Sequence, residues 1–207
     1  MYLNNYRFTM KFDSRATETN LHWIFSKFGV PKTFVEIGAY EGSTTFLVAD
    51  RYAKVNPDLK IIAIDPHQGS IDMIDKKNFL SGPDAKKNFL YNLDLCQHKK
   101  IEYINDFSTN GLRELINRKQ TAEVIFIDGD HRADQVLTDL VMSSQLIRDH
   151  GIIICDDTYW QWEDSNKCKS AQMSPRMAVE FFIQCNWHKI QPISLPGIGQ
   201  TAFLLHS

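Results

Sequence analysis

Acidic residues end two apolar runs in the second half of the chain. The run in EVIFIDGDH ends at Asp128, with Asp130 and His131 close behind, and the run in GIIICDD ends at Asp156 and Asp157. On neighbouring strands about 4.8 Å apart these carboxylates would repel one another, so protons, a basic side chain or a cation must offset their charge. A hard divalent cation such as Mg²⁺ binds one or two carboxylates and keeps water or substrate oxygens for the rest. We therefore expect Asp128, Asp156 and Asp157 to bind a divalent metal ion.

The same residues also have ordinary structural uses, which the sequence leaves open. Asp130 could cap the helix that follows it, and one of Asp156 and Asp157 could point away and bond loop amides. Lysine or arginine side chains could neutralise the cluster. His131 could be an ordinary polar histidine or, beside a metal ion, the base that takes a proton from a hydroxyl group.

A glycine-containing turn follows the first predicted strand. FVEIGAYEGSTT places Glu36 at the strand end, then Gly38 and Gly42, and then a helix start at Ser43. Ligands of open α/β sheets bind beyond the carboxyl ends of the strands, and glycine lets the backbone approach them closely. The G-x-x-x-G spacing differs from the G-x-G-x-x-G of a dinucleotide site, which disfavours an NAD-linked oxidoreductase. The acid before the loop suits a ligand with a cationic ammonium group, although the glycines could also serve only to tighten the strand–helix joint.

Acids also end the second and third predicted strands. Asp65 in IIAIDPH lies where a carboxylate can hold a ribose diol, or it could cap the turn before Pro66. Asp106 in INDFS could accept a hydrogen bond from an adenine amine, or it could cap the helix that begins in STNGLRELI.

Short β-branched runs alternate with helical patterns along the chain. The first five strands are mostly uniformly apolar, as in parallel sheets covered by helices on both faces. A right-handed crossover through the helix Ala133–Asp149 makes the fourth and fifth strands neighbours. We predict an α/β fold with a doubly wound, Rossmann-like seven-stranded sheet, in which the terminal hairpin adds one antiparallel strand at an edge. The predicted strands are Thr33–Ile37, Ile61–Asp65, Ile101–Ile104, Glu123–Ile127, Ile152–Cys155, His188–Ile193 and Gln200–Leu205, and the other predicted helices are Glu18–Phe28, Ser43–Val55 and Ser174–Cys185.

Length and composition restrict the class of protein. The chain has 207 residues, is 43% hydrophobic and carries a net charge of −2, which predicts one domain over residues 1–207 without a broad basic face. Nucleic acid and membrane partners are therefore not expected, since no apolar run approaches about 20 residues either. The N-terminus lacks the pattern of a signal peptide, and four scattered cysteines without C-x-x-C spacing favour reduced thiols in a cytoplasmic protein.

Three segments lie outside the core pattern, and two of them are expected to form walls of a site. Residues 1–30 are predicted to form an N-terminal helical cap, and residues 158–174 to form a substrate lid after the paired aspartates. Tyr159, Trp160 and Trp162 of that lid could stack on a sugar or aromatic ring, or could pack the loop onto the sheet. The segment after the second strand is a second possible wall. Its lysines are expected on a solvated helix face: Lys76, Lys77, Lys86 and Lys87.

Taken in order, these motifs resemble those of a known family. Glu36-x-Gly38-x-x-x-Gly42, Asp65 and Asp106 resemble the S-adenosylmethionine motifs of class I methyltransferases. DPHQGS, IDGDH, LIRDHGIIICDD and MAVEFF are similar to the methyltransferase 24 group, which contains macrocin- and novobiocin-type metal-dependent sugar O-methyltransferases. The similarity covers the chain from Pro31 to its end. Two positions depart from the family pattern: Ala133, where many relatives carry an aromatic residue, and Asn105, where a glycine is usual.

The resemblance implies a role for each matching residue. It places the methionine part of S-adenosylmethionine near Glu36, the ribose at Asp65 and the adenine edge at Asp106. It implies Mg²⁺ at Asp128, Asp156 and Asp157, and a base at Asp130 or His131. The full set of implied cofactor-binding residues is Glu36, Gly38, Ala39, Gly42, Ser43, Asp65, Asp106 and Asp128.

The expected function is Mg²⁺-dependent O-methylation of a hydroxyl group on a small molecule, sugar-like or another natural product. The alternatives are a metal-independent N- or O-methyltransferase and a non-catalytic nucleotide-binding module. Because relatives often self-associate through N-terminal elements, the resemblance also implies a possible homo-oligomer.

Overall fold

The computed structural model describes residues 5–9, 15–69, 80–159 and 174–206 of the chain. The strands are β1 Thr33–Ile37, β2 Lys60–Ile64, β3 Ile101–Ile104, β4 Ala122–Ile127, β5 Ile147–Cys155, β6 Ile190–Ile193 and β7 Thr201–Leu205. The helices are α1 Arg15–Phe28, α2 Ser43–Tyr52, α3 Gly82–Leu95, α4 Ser108–Asn117, α5 Ala133–Leu146 and α6 Pro175–Cys185.

The strands form one seven-stranded sheet in the order β3-β2-β1-β4-β5-β7-β6. Strands β1 to β5 are parallel, while β7 runs antiparallel to both β5 and β6. This confirms the predicted doubly wound, Rossmann-like fold and the neighbouring positions of β4 and β5. The order reverses between β1 and β4, which is where open α/β sheets place their ligands.

Alternating strand residues supply two apolar layers, one on each face of the sheet. Phe34, Phe126 and Ile154 face the layer that contains α1, α2 and Phe89 of α3. The residues between them, such as Val35 and Ile125, face the layer covered by α4, α5 and α6. Because both faces are buried, the strands need apolar residues at successive positions, which explains their lack of polar alternation.

The antiparallel strand does not lie at the sheet edge, so that part of the prediction was wrong. Strand β7 lies between β5 and β6, and β6 forms the edge. The composition of the two strands accounts for this order. Four of the five β7 residues are buried, whereas β6 contains Pro192, which has no N–H to donate and suits an edge strand.

Helix α5 is shorter than predicted, and β5 is longer. The helix ends at Leu146, and β5 begins at Ile147, which pairs with Ala122 of β4. Gly151 lies within β5. A Cβ atom at Gly151 would lie 2.5 Å from Cγ1 of Ile147, so glycine is needed there for close packing.

The structure describes three of the four cysteines and two of the four lysines named above. Cys96, Cys155 and Cys185 are free thiols, while Cys168 lies outside the described residues. Lys87 is exposed on α3 and pairs with Asp84, and Lys86 bonds to Asn105. The predicted Lys76 and Lys77 lie outside the described residues. Within the described ranges, no helix combines the length and apolar character that crossing a bilayer requires.

Candidate active site

The carboxyl ends of the parallel strands bring the predicted site residues together on one side of the molecule. Each residue just beyond a strand end still donates its backbone N–H to the neighbouring strand, so its side chain starts from a fixed position. The donor–acceptor pairs are Gly38 to Ile64 at 2.9 Å, Asp65 to Ile104 at 3.1 Å, Asp128 to Ile37 at 2.8 Å and Asp156 to Ile127 at 2.9 Å.

A cavity of about 240 Å³ opens at these strand ends, across β2, β1 and β4. Gly38, Asp65 and Asp128 line it, as three of the residues predicted to bind a cofactor. Five others lie outside its lining, and their contact with a cofactor stays a prediction: Glu36, Ala39, Gly42, Ser43 and Asp106. Phe107, Ser108, Arg132 and Gln135 also line the cavity, and sequence reasoning missed them.

Glycine is required at two positions of the first turn, for a different structural reason at each. Gly38 has φ 85°, and a Cβ atom there would lie 2.0 Å from the carbonyl oxygen of Asp128. Glycine therefore lets the loop after β4 pass directly over the loop after β1. Gly42 has φ 86° at the start of α2, where a Cβ atom would lie 2.2 Å from the ring of Phe46.

The Asp65 carboxylate is held from both sides by backbone amides. The N–H of Tyr40 donates to Oδ2 at 2.7 Å, and the N–H of His67 donates to Oδ1 at 2.6 Å. Tyr40 and His67 both have a left-handed backbone, with φ 48° and 51°. Two uncommon conformations thus serve to fix one carboxylate beside the cavity.

His67 is the buried centre of the network that supports Asp65. Its Nε2 lies 2.6 Å from the carbonyl oxygen of Tyr40, and its Nδ1 lies 2.7 Å from the hydroxyl of Tyr103. A carbonyl can only accept, so Nε2 carries a proton, and the Tyr103 hydroxyl can donate to Nδ1. Burial, and then the nearby charge of Asp65, raises the pKa of Tyr103. The sequence motif DPHQGS contains His67, but no pattern in the sequence indicates its partners.

Glu36 is a fully buried carboxyl group beneath the cavity. Burial raises its pKa to about 8, the Thr45 hydroxyl donates to it and lowers the pKa, and Asp65 raises it again. Glu36 therefore changes charge near neutral pH, within reach of the electrostatic field of any charged ligand in the cavity.

Asp128, His131 and Asp157 form a compact group of possible metal ligands. Each offers one ligand atom, and these atoms lie within 4.8 Å of one another. Nε2 of His131 is 3.4 Å from Oδ2 of Asp157. Burial first, and then repulsion by Asp156 and Asp157, raises the pKa of Asp128 well above its usual range. Two carboxylates and an imidazole are donors that fit a divalent cation, which would relieve this repulsion.

The carboxylate of Asp156 is not part of the compact group and has other partners. Its Oδ1 accepts the N–H of Asp157 at 2.8 Å, and its Oδ2 accepts the Thr17 hydroxyl of α1 at 3.4 Å. Burial and the charge of Asp157 raise its pKa to about 6. Asp157 adopts a left-handed φ of 47°, and its carboxylate lies beside His131. His131 thus occupies the place in the compact group that the resemblance assigned to Asp156, whose role as a ligand stays a prediction.

Asp130 bonds to Arg132, the residue directly before α5. Its Oδ1 accepts the backbone N–H of Arg132 at 2.9 Å, and its Oδ2 accepts Nε of the same guanidinium at 3.0 Å. Both carboxylate oxygens of Asp130 are therefore occupied by Arg132. Of the two bases considered, the geometry favours His131.

Asp106 makes local contacts at the start of α4. Its Oδ1 accepts the N–H of Phe107 at 2.7 Å and the side-chain amide of Asn110 at 2.9 Å. The Asn110 contact, followed by the Phe107 contact, lowers the pKa of Asp106. These contacts are local, but α4 has Phe107 as its N-cap and no side-chain cap, so the predicted capping role of Asp106 was wrong. The adenine contact stays a prediction.

The predicted lid is described only at its ends. Thr158 is buried and tied to Gly199 by a backbone hydrogen bond of 2.9 Å, whereas the Tyr159 side chain is exposed near Arg176. Trp160 and Trp162 lie outside the described residues.

The N-terminal segment contacts the loop after β1. Thr9 donates its backbone N–H and its hydroxyl to the buried Glu41 at 2.9 and 2.8 Å.

Comparisons with known proteins agree with this geometry. The methyltransferase 24 family model, described as a methyltransferase domain, matches residues 35–158, which is more than half of the chain. No curated protein sequence matches significantly.

Solved structures share the fold at low sequence identity. An O-methyltransferase from Bacillus cereus in complex with SAH is 14% identical with a TM-score of 0.64, covering 98% of this chain and 85% of its own. The O-methyltransferase TomG from Streptomyces achromogenes, in complex with SAM, is 12% identical with a TM-score of 0.61, covering 93% and 81%. The N-methyltransferase NodS from Bradyrhizobium japonicum is 11% identical with a TM-score of 0.58, covering 94% and 97%. The fold alone therefore does not distinguish an oxygen acceptor from a nitrogen acceptor.

Proposed function

This chain belongs to the methyltransferase-domain family, and from that premise we propose that it methylates a hydroxyl group of a small molecule, using S-adenosylmethionine and a divalent cation. One observation carries the proposal. The cavity at the switch point of the sheet has the immobilised Asp65 carboxylate in its lining, together with Asp128 of the compact ligand group. The candidate cofactor site and the candidate metal site are thus adjacent at the carboxyl ends of the strands.

The cavity lining suits the parts of S-adenosylmethionine. The Asp65 oxygens each retain acceptor capacity after their amide contacts and can hold the two ribose hydroxyls. Phe107, whose side chain is 52% exposed, offers an aromatic face for the adenine. Asp65 places negative charge near a ligand that bears a sulfonium and an ammonium group, and such a ligand would favour the ionised form of Glu36. When bound, S-adenosylmethionine supplies an activated methyl group.

Asp128 and Asp157 are the residues that would hold the cation, with Asp156 as a further candidate. Mg²⁺ fits two carboxylates and needs no nitrogen ligand, which leaves His131 available. A divalent cation at this position would lower the pKa of a substrate hydroxyl.

His131 is the residue we assign to accept the proton from that hydroxyl. It lies within the same group, its side chain is 12% exposed, and its Nε2 lies 3.4 Å from Oδ2 of Asp157. A histidine that coordinates the metal could not accept a proton through the same nitrogen, so the two roles exclude each other at Nε2. The chain holds acceptor and cofactor in proximity, which removes much of the entropic barrier.

A metal-independent methyltransferase is the second candidate function. The raised pKa values of Asp128 and Asp156 favour it, because protons could neutralise the cluster in place of a cation. The narrower grouping with macrocin- and novobiocin-type sugar O-methyltransferases, and a sugar-like acceptor, rest on the resemblance of the sequence motifs.

The test is formation of S-adenosylhomocysteine with a panel of hydroxylated and amine acceptors, with Mg²⁺ or with a chelator. We expect turnover of a hydroxylated acceptor that the chelator abolishes and Mg²⁺ restores. Asp157→Asn should abolish it while leaving S-adenosylhomocysteine affinity nearly unchanged, and the exposed Asp134→Asn of α5 is the matched control. Turnover that persists in the chelator and in Asp157→Asn would favour the second candidate.

A further inference from the structure

Three further side chains that could bind a metal ion lie close together at the opposite end of β5 from the candidate active site. Asp149, His150 and His206 each offer one ligand atom, and these atoms lie within 4.8 Å of one another. Residue 150 precedes Asp156 by six positions along β5. At about 3.3 Å per residue, the group lies about 20 Å from the candidate active site.

Strand pairing brings the two histidines together. Gly151 of β5 pairs with Leu205 of β7 at the end of an antiparallel ladder, and His150 and His206 are the residues directly beyond this last pair. The backbone N–H of His206 donates to the carbonyl of Lys189 at 2.8 Å, which fixes its position. The imidazole rings lie 4.6 Å apart between centroids and nearly perpendicular, at 84°.

The backbone at His150 explains why Asp149 joins the pair. Consecutive residues of a regular strand point to opposite faces of the sheet. His150 instead has a left-handed φ of 57°, which breaks the alternation. As a result, Oδ2 of Asp149 lies 3.4 Å from Nε2 of His150.

We propose that Asp149, His150 and His206 form a second metal site, for Zn²⁺ or a similar late first-row divalent ion, that links β5 to β7. Zinc bonds of about 2.0–2.1 Å in tetrahedral geometry place neighbouring ligand atoms roughly 3.3 Å apart. The Asp149–His150 separation of 3.4 Å already matches this spacing. Both of these side chains are more than half exposed, so small rotations of them can adjust their distances to His206. Two imidazoles favour zinc over magnesium.

The test is a zinc titration of the full chain against a chromophoric chelator. His150→Asn keeps a residue that tolerates a left-handed backbone, and His206→Gln keeps a polar side chain of similar reach. His188→Asn is the control, since His188 is an exposed histidine outside the group. Circular dichroism and thermal unfolding without zinc verify that each variant folds.

We expect each single variant to weaken one zinc site at least about tenfold and the double variant to lose one zinc equivalent. Asp128, His131 and Asp157 are unchanged in all of these variants, so any zinc that they bind remains and the lost equivalent identifies the second site. Unchanged zinc stoichiometry and affinity in the double variant would overturn the proposal, as would an equal loss in His188→Asn. If His150→Asn does not fold, His206→Gln alone decides, because it leaves the left-handed position of β5 intact.

Discussion

Replacing Glu36 with glutamine should make the fold more stable at alkaline pH. Glu36 is 1% exposed, and its pKa is raised to about 8 from a usual value of 4.5, chiefly by burial. Between these two values the folded protein binds more protons at this site than the unfolded chain, so its stability falls as pH rises. At about 1.4 kcal/mol per pH unit, the full cost of ionising Glu36 in the fold is roughly 5 kcal/mol above pH 8. Relaxation around the charged group lowers this value.

The assay is urea unfolding of wild type and Glu36→Gln, without ligand, at about pH 5 and about pH 9. Glutamine does not ionise, and its carbonyl oxygen can still accept from the Thr45 hydroxyl. We expect nearly equal stability at the acidic pH and a gain of at least about 2 kcal/mol for the variant at the alkaline pH. Glu114→Gln, at an exposed position of α4, should show no such pH-dependent gain. A difference from wild type that is the same at both pH values would refute the reasoning.

Three further perturbations probe the cavity and the ligand group. Gly38→Ala should cost about 3 kcal/mol or more in urea unfolding, because its Cβ atom would lie 2.0 Å from the Asp128 carbonyl oxygen at φ 85°. Gly29→Ala, at φ 89° with nothing within 4 Å, should cost only about 1 kcal/mol, and equal losses would contradict the steric reading. His67→Phe should weaken S-adenosylhomocysteine binding about tenfold in calorimetry, because it removes the two hydrogen bonds that support the Tyr40–Asp65–Tyr103 network. An unchanged dissociation constant would remove His67 from the positioning role. At a concentration a hundred times its dissociation constant, Mg²⁺ should stabilise the fold by about 2.7 kcal/mol, which is about 5–10 °C in Tm for a chain of this size. Asp157→Asn should abolish that shift and Asp134→Asn should keep it, whereas a shift that survives in Asp157→Asn would place the ion elsewhere.

The sequence predicted the sheet well because burial on both faces leaves a direct mark in it. Strands β1 and β3 have the predicted bounds, because residues that favour loops follow both of them: Gly38 after β1 and Asn105 after β3. The start of β5 was missed because RDHG looks like the polar end of a helix. Only the pairing of Ile147 with Ala122 assigns those residues to the sheet.

The candidate site was predicted at the level of residue types and strand ends, but not at the level of side-chain directions. Adjacent strands necessarily bring Asp128 close to Asp156 and Asp157. Which aspartate turns toward His131 depends on the left-handed φ of 47° at Asp157, which no sequence pattern encodes. The support of Asp65 by His67 was missed for the same reason, since it depends on a backbone conformation and on partners distant in sequence.

The central claim is that carboxylates at the ends of β4 and β5 hold a hard divalent cation beside the cofactor cavity. Electron paramagnetic resonance of Mn²⁺, titrated into the protein with S-adenosylhomocysteine present, tests it most directly. We expect one tightly bound Mn²⁺ in wild type and in His206→Gln, and its loss in Asp157→Asn. Mn²⁺ that stays free in wild type, or that remains bound in Asp157→Asn, would show that these carboxylates do not hold the cation.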